Sequence, residues 1–295
     1  MHDYLRAIGF SQLKKNKDVR DLLNLVMLRP TSEYVSAATG VDSAFGEKVK
    51  EFSDRMGISV RGEYDENGQF HQSYYFPYFK GSQCTLKEEV TIEKQADKDG
   101  FSGICDNVKI GVSLIFHLLN MADYMDYLEF HKGSLFYAPM YLSGLSISGK
   151  VILPLMKNEK DRRQRVDDNM NRDRMLAAAR EGDPEAIESL TLEDIDMYAT
   201  VSRRAKREDV LTIVESYFMP YGIACDQYSI MGDIVSVTQV QNSLTEEYIY
   251  ILCLECNDLF MEVCINKEDL LGEPLPGRRF RGTVWVQGTV DFVGI

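Results

Sequence analysis

The chain has 295 residues, 44% hydrophobic and 27% charged, which is enough to bury more than one core. Its net charge of −13 gathers at one end: residues 211–295 hold 12 acidic and 4 basic side chains, a field that repels a phosphate backbone. No apolar run approaches the roughly 18 residues of a membrane span, and the start Met1-His-Asp-Tyr-Leu-Arg6 lacks a basic then apolar leader. The expectation is an acidic, cytoplasmic chain with no membrane partner.

Residues 16–28 repeat Val19, Leu22, Leu23 and Val26 at helical spacing, with Asn16 as cap and Arg29-Pro30 as stop. A second helix is expected over 44–56, ended by Gly57. From Ile58 the pattern alternates. The turn Asp65-Glu-Asn-Gly68 then leads into the aromatic run Phe70–Phe79, which predicts a hairpin. Strands are expected over 89–94 and 108–119, a helix over 121–130, and two strands within 135–155. Residues 159–180 are dense in both charge signs and predict an exposed helix. Gly182-Asp-Pro184 breaks it, a helix runs from Pro184 to Leu190, Thr191 caps another, and a last one covers 208–217.

The last third alternates again. A long strand covers 228–240, Asn257-Asp258 joins strands 248–256 and 259–265, a helical turn covers 267–271, and 282–292 closes with one or two strands. Long strand, hairpin, short helix and closing strand predict an OB-like small β-barrel, with an SH3-like barrel as the alternative. The fold class is α+β: an N-terminal α+β domain over 1–156, a helical connector over 157–219 and a C-terminal β-module over 220–295. No internal repeat is evident.

Each candidate motif has a bland competitor. Gly144-Leu-Ser-Ile-Ser-Gly149-Lys150 has P-loop spacing, but Val151 holds the Ser/Thr place and a strand follows, so the amides of a helix N-terminus are missing. Cys253-Leu-Glu-Cys256 has ligand spacing, yet residues three apart on a strand face opposite sides. Six cysteines without a leader read as free thiols. His2, His71, His117 and His131 show no ligand spacing, and Cys105 with His117 is a pair with no local support. No cofactor and no metal are implied. Gly277-Arg278-Arg279-Phe280-Arg281-Gly282 is the basic spot of the acidic end. Those arginines, with Phe280 and nearby Trp285, form the predicted ligand- or partner-binding site, set against salt bridging to local acids.

The start Met1-His-Asp-Tyr-Leu-Arg-Ala-Ile-Gly-Phe10, with Glu193-Asp-Ile-Asp196, Met219-Pro-Tyr-Gly222, Cys256-Asn-Asp258 and Gly277-Arg-Arg-Phe280, resembles an uncharacterised Firmicutes, clostridial family of unknown function (DUF3881-like). That resemblance implies a bacterial protein and no established activity. With no complete acid–base, nucleophile or metal set, the expectation is a non-enzymatic binding or scaffold protein. Its β-module would serve as interaction platform for a protein partner or a second copy. The alternatives are a nucleic-acid or nucleotide binder through the OB-like face, and a hydrolase or transferase whose site is assembled from distant residues.

Overall fold

A computed structural model describes residues 3–35, 44–95, 100–107, 112–130, 135–154, 171, 174–175, 178–179, 182–204 and 206–292. The chain divides into two compact units, one of residues 1–152 with 216–295 and one of residues 153–215. The fold is α+β with strands dominant. Among the described residues no helix is long and apolar enough to cross a membrane.

The first unit begins with a 3-10 turn, Asp3–Ile8, and helix α1, Asn16–Leu28. α1 buries Val19, Leu22, Leu23 and Val26, the face its spacing predicts. A four-stranded antiparallel sheet follows in chain order: β1 (Ser32–Val35), β2 (Ala44–Ser53), β3 (Met56–Tyr64) and β4 (Phe70–Phe79). The expected helix over 44–56 is therefore strand β2. Pairing to β1 on one edge and β3 on the other satisfies its backbone and outweighs local preference. Gly57 does not stop a helix; it sits on β3 just after a turn, opposite Glu51.

The second sheet holds β5 (Leu86–Lys94), β6 (Phe101–Asn107), β7 (Val112–Leu118), β8 (Leu135–Ile152), β9 (Tyr217–Pro220), β10 (Gln227–Gln241), β11 (Tyr248–Cys256), β12 (Leu259–Asn266), β13 (Leu270–Leu271) and β14 (Arg279–Val290). Helix α2, Met121–Phe130, lies between β7 and β8, and a 3-10 turn, Lys267–Asp269, follows β12. The two strands expected over 135–155 are one 18-residue strand, β8. β14 pairs along it from Met140 to Ile152, which keeps its backbone hydrogen-bonded as one element.

The expected self-contained barrel in 220–295 does not close within that segment. β10–β11–β12 form a meander, but β12 then pairs in parallel with β8, and β8 pairs with β14, which returns to β10. The missing strand comes from the front half of the chain. A second cycle shares the same β8–β14 ribbon: β5–β6–β7 form a meander, β7 pairs in parallel with β14, and β8 returns to β5. Each cycle has five strands; to them the front half contributes three strands, helix α2 and a fourth strand, and the back half three strands, a 3-10 turn and a fourth strand. Each fourth strand completes the other half's cycle. The repeat is topological, with little sequence likeness to reveal it.

Alternation along the ribbon feeds two cores. Val284 and Val286 face the interior shared with Leu142, Phe116 and Val263, whereas Leu145 and Trp285 face the core of α1 and β2–β4. At the centre, Gln287 and Ser143 are direct cross-strand partners, both fully buried. Gln287 Oε1 accepts from Phe79 N at 3.0 Å, its Nε2 donates to Pro77 O at 2.9 Å, and Ser143 Oγ donates to Phe79 O. Two side chains thus pair with the end of β4 as a backbone edge would. Elsewhere the turn before β3 is tied to β12: Arg55 donates to both Glu262 oxygens at 2.6 and 3.1 Å, and Ser82 N donates to Glu262 at 2.7 Å.

In the second unit the two helices expected around Thr191 are one, α3, Pro184–Arg204. Thr191 does not cap; its hydroxyl donates to Ile187 O one turn back, inside a continuous helix. Only Val210–Ile213 of the expected 208–217 helix is helical, as α4, and Tyr217–Pro220 is β9 of the first unit. The charged helix expected over 159–180 lies mostly outside the described residues.

Two outcomes follow from these contacts. Gln287→Leu strands the Phe79 N–H and the Pro77 carbonyl away from water, so urea denaturation should show a loss of about 3 kcal/mol. Burial pushes the Glu262 carboxyl up, but the Arg55 and Ser82 hydrogen bonds outweigh it and hold it below the usual range. Its stabilisation is present above the ordinary carboxylate pKa of about 4.3 and lost as pH falls through the lower folded value. Glu262→Gln should therefore destabilise at neutral pH, with the gap to wild type closing below about pH 4 in pH-dependent urea melts.

Candidate functional site

A buried polar constellation lies on the face of the four-stranded sheet toward α2. Glu47, Arg61 and Tyr74 are cross-strand neighbours on β2, β3 and β4. Arg61 is fully buried. Its Nε donates to Glu47 Oε1 at 2.6 Å, Nη1 to Tyr74 Oη at 2.8 Å and to the Met121 sulfur at 3.5 Å, and Nη2 to Leu119 O at 2.8 Å. Ser59 Oγ donates to the same Glu47 oxygen at 2.6 Å, and the Phe76 ring lies 4.7 Å from the guanidinium carbon. Burial works to lower the Arg61 pKa, and Glu47 and Tyr74 outweigh it, so the guanidinium stays charged.

The buried Arg61 of this ion pair floors a cavity of about 170 Å³ lined by Phe45, Arg61, Gly62, Glu63, Ser73, Tyr74, Lys94, Phe101, Met121 and Met125. Local backbone irregularity shapes it. Arg61 pairs with Tyr74 and Gly62 with Gln72, so Ser73 is an extra residue bulged out of β4. Gly62 sits so close to β4 that a Cβ would meet His71 O at 2.1 Å. The opposite wall is held independently. Asn120, just before α2, donates to Val290 O at 2.8 Å and accepts from Val290 N at 3.1 Å. The start of α2 is thereby fixed between β14 and Arg61.

The residues singled out in the sequence lie elsewhere and do not converge. Arg278 donates to Glu273 O at 2.7 Å, Arg279 is buried beside Asp233 on the paired strand, and Arg281 is exposed with its Nε on Tyr217 Oη at 3.0 Å. Burial lowers the Arg279 pKa against the pull of Asp233. Phe280 and Trp285 are core residues, and Trp285 Nε1 donates to Asp226 at 2.7 Å. Gly144–Lys150 is continuous strand within β8, where a Cβ on Gly149 would meet the Phe280 ring at 2.4 Å. The Cys256 thiol donates to Tyr217 O and Met231 O, and burial pushes its pKa up to about 12; burial likewise raises Cys253. Cys105 is also pushed up to about 12 by burial, which removes it as a nucleophile at neutral pH. It lies in one core, while His117 packs against Phe76 and Trp285 in the other. His71 is exposed against Asp65, and His2 and His131 lie outside the described residues. Among the described residues no group of three His, Cys, Asp or Glu side chains is placed to hold a metal.

Sequence reasoning missed Arg61 because the helix expected over 44–56 hides its partner Glu47. The available signal was a lone arginine inside Ile58-Ser-Val-Arg-Gly62, a strand buried on both faces. Replacing Arg61 by Met leaves Glu47 as an uncompensated buried charge, so the loss should reach about 3–5 kcal/mol in urea melts. Arg61→Met combined with Glu47→Gln should recover part of it.

The chain matches no curated protein and no solved structure. It matches the family described as "Domain of unknown function, E. rectale Gene description (DUF3881)" over residues 5–288, and belongs to that family.

Proposed function

We propose that this family member is a binding protein without catalytic chemistry of its own, and that its ligand occupies the cavity above Arg61. The observation that carries this is a fully buried guanidinium at a cavity whose walls combine Phe45, Phe101, Tyr74, Met121 and Met125 with the polar side chains of Glu63, Ser73 and Lys94. Concave, mostly apolar sites with a few convergent polar groups are where small ligands bind. The scaffold supports the same reading. We read the cycle β5–β6–β7–β14–β8 as OB-like, a reading supported by the parallel pairing of β7 with β14 and by α2 between β7 and β8 in the chain. On this reading Lys94 ends its first strand and Phe101 begins its second, the end of the module from which OB-like folds contact ligands. On the same reading the cycle through residues 227–290, completed by β8, is a second OB-like module.

A second reading keeps residues 220–295 as an interaction platform for a protein partner. It is favoured by β9, an edge strand with exposed Met219, followed by exposed Tyr221 and Ile223. A nucleic-acid reading has less support, because Arg278, Arg279 and Arg281 do not share one exposed face.

Ligand-observed NMR with a library of small fragments tests the cavity. Binders should lose at least about tenfold in affinity when Met125→Trp fills the space, with far-UV circular dichroism unchanged. Fragment binding that is insensitive to the filling would remove the cavity as the site.

A further inference from the structure

The charges around the cavity say what kind of molecule fits it. At the floor, Arg61 is already neutralised by Glu47 at 2.6 Å. Four of its five N–H groups are directed to Glu47, Tyr74, Met121 and Leu119, and the Met121 sulfur is a weak acceptor. The floor therefore offers a donor to a neutral atom and gains little from a second buried anion. Glu63 stands two residues from Arg61 on the same face of β3 and is exposed, and Lys94 at the end of β5 is exposed as well. Both line the cavity together with the bulged Ser73. Among the described residues, the outer part of the site thus carries one cation and one anion. A monoanion meets Lys94 favourably and Glu63 unfavourably, and a monocation meets the reverse. A ligand with both charges satisfies both side chains.

Resting on the cavity being the binding site, we infer that its ligand is a small zwitterion, an α-amino acid with an uncharged, apolar side chain. The ligand carboxylate pairs with Lys94, its ammonium with Glu63 and the Ser73 hydroxyl, and its side chain enters between Phe45, Phe101, Met121 and Met125. Size agrees. A cavity of about 150 Å³ holds a benzene ring, and this one measures about 170 Å³. A side chain the size of phenylalanine, methionine or leucine is within that range. Met121 and Met125 adapt to differences among those three, since thioethers repack at low cost.

The test is calorimetric titration of the full chain with L-phenylalanine, L-methionine and L-leucine. 3-Phenylpropionate, which lacks the ammonium, and 2-phenylethylamine, which lacks the carboxylate, serve as comparators. At least one of the amino acids should bind, and L-phenylalanine should bind roughly tenfold tighter than either comparator. Lys94→Gln should weaken L-phenylalanine and 3-phenylpropionate and leave 2-phenylethylamine unchanged; Glu63→Gln should weaken L-phenylalanine and 2-phenylethylamine and leave 3-phenylpropionate unchanged. Both residues are exposed, so neither substitution threatens the fold. Comparators that bind as tightly as L-phenylalanine, or amino-acid affinities untouched by both substitutions, would overturn the inference. Fragments displaced by Met125→Trp while none of the three amino acids binds would overturn it too, yet leave the cavity standing as a site. Fragment binding indifferent to that substitution would take both down together.

Discussion

The antiparallel ribbon of β8 and β14 is the constraint on which the first unit depends. Each strand takes part in both five-stranded cycles, and each carries a polar side chain at the same level, Ser143 and Gln287. Those two side chains give the end of β4 the hydrogen bonds that a neighbouring strand would otherwise supply. A buried amide satisfied on both its atoms is worth keeping; the same amide with one partner removed is a liability. The ribbon therefore also fixes where the four-stranded sheet sits. That sheet in turn presents Glu47, Arg61 and Tyr74 toward α2. The floor of the cavity and its far wall are both referred to one pair of strands, since Asn120 is hydrogen-bonded to Val290 at the end of β14.

Local signals in the sequence carried most of the elements. Helix α1 was legible because its apolar spacing and its proline stop agree. The hairpins around Asp65–Gly68 and Asn257-Asp258 were legible because turn residues separate alternating runs; Asn257 and Asp258 both adopt positive φ, as such turns require. Apart from the helix ends near Thr191 and 208–217, what failed depends on a distant partner. Strand β2 reads as a helix until β1 and β3 lie on its two edges. Strand β8 reads as two strands until β14 is laid along it. The closing strand of the C-terminal cycle lies some eighty residues before the cycle begins, where no pattern within 220–295 could point to it.

The candidate site was the least legible part, for the same reason. Arginine-rich motifs attract attention by clustering in sequence, yet strand geometry disperses Arg278, Arg279 and Arg281. Arg61 has no charged neighbour nearer than Glu63 and gains its importance only through Glu47 and Tyr74 on adjacent strands. One echo of the topological repeat does survive: Met140-Tyr-Leu-Ser-Gly144 and Val284-Trp-Val-Gln-Gly288 share apolar, aromatic, apolar, polar and glycine positions in order. Five residues are too few to announce a repeat without the strand pairings beside them.

The exchange of fourth strands has a consequence for how the chain becomes a protein. During synthesis, β5, β6, β7 and β8 leave the ribosome long before β14 exists, so β7 and β8 wait with open edges until nearly the whole chain is made. Non-local pairings of this kind close late, because a long loop must be ordered before any contact rewards it. Neither half can finish alone, and a nascent chain cut anywhere before β14 has no closed cycle at all. Open strand edges are sites of misassociation. The early appearance of α1, an element that folds locally, and the delayed arrival of the ribbon's second strand mark the interval in which this molecule is most exposed to its neighbours.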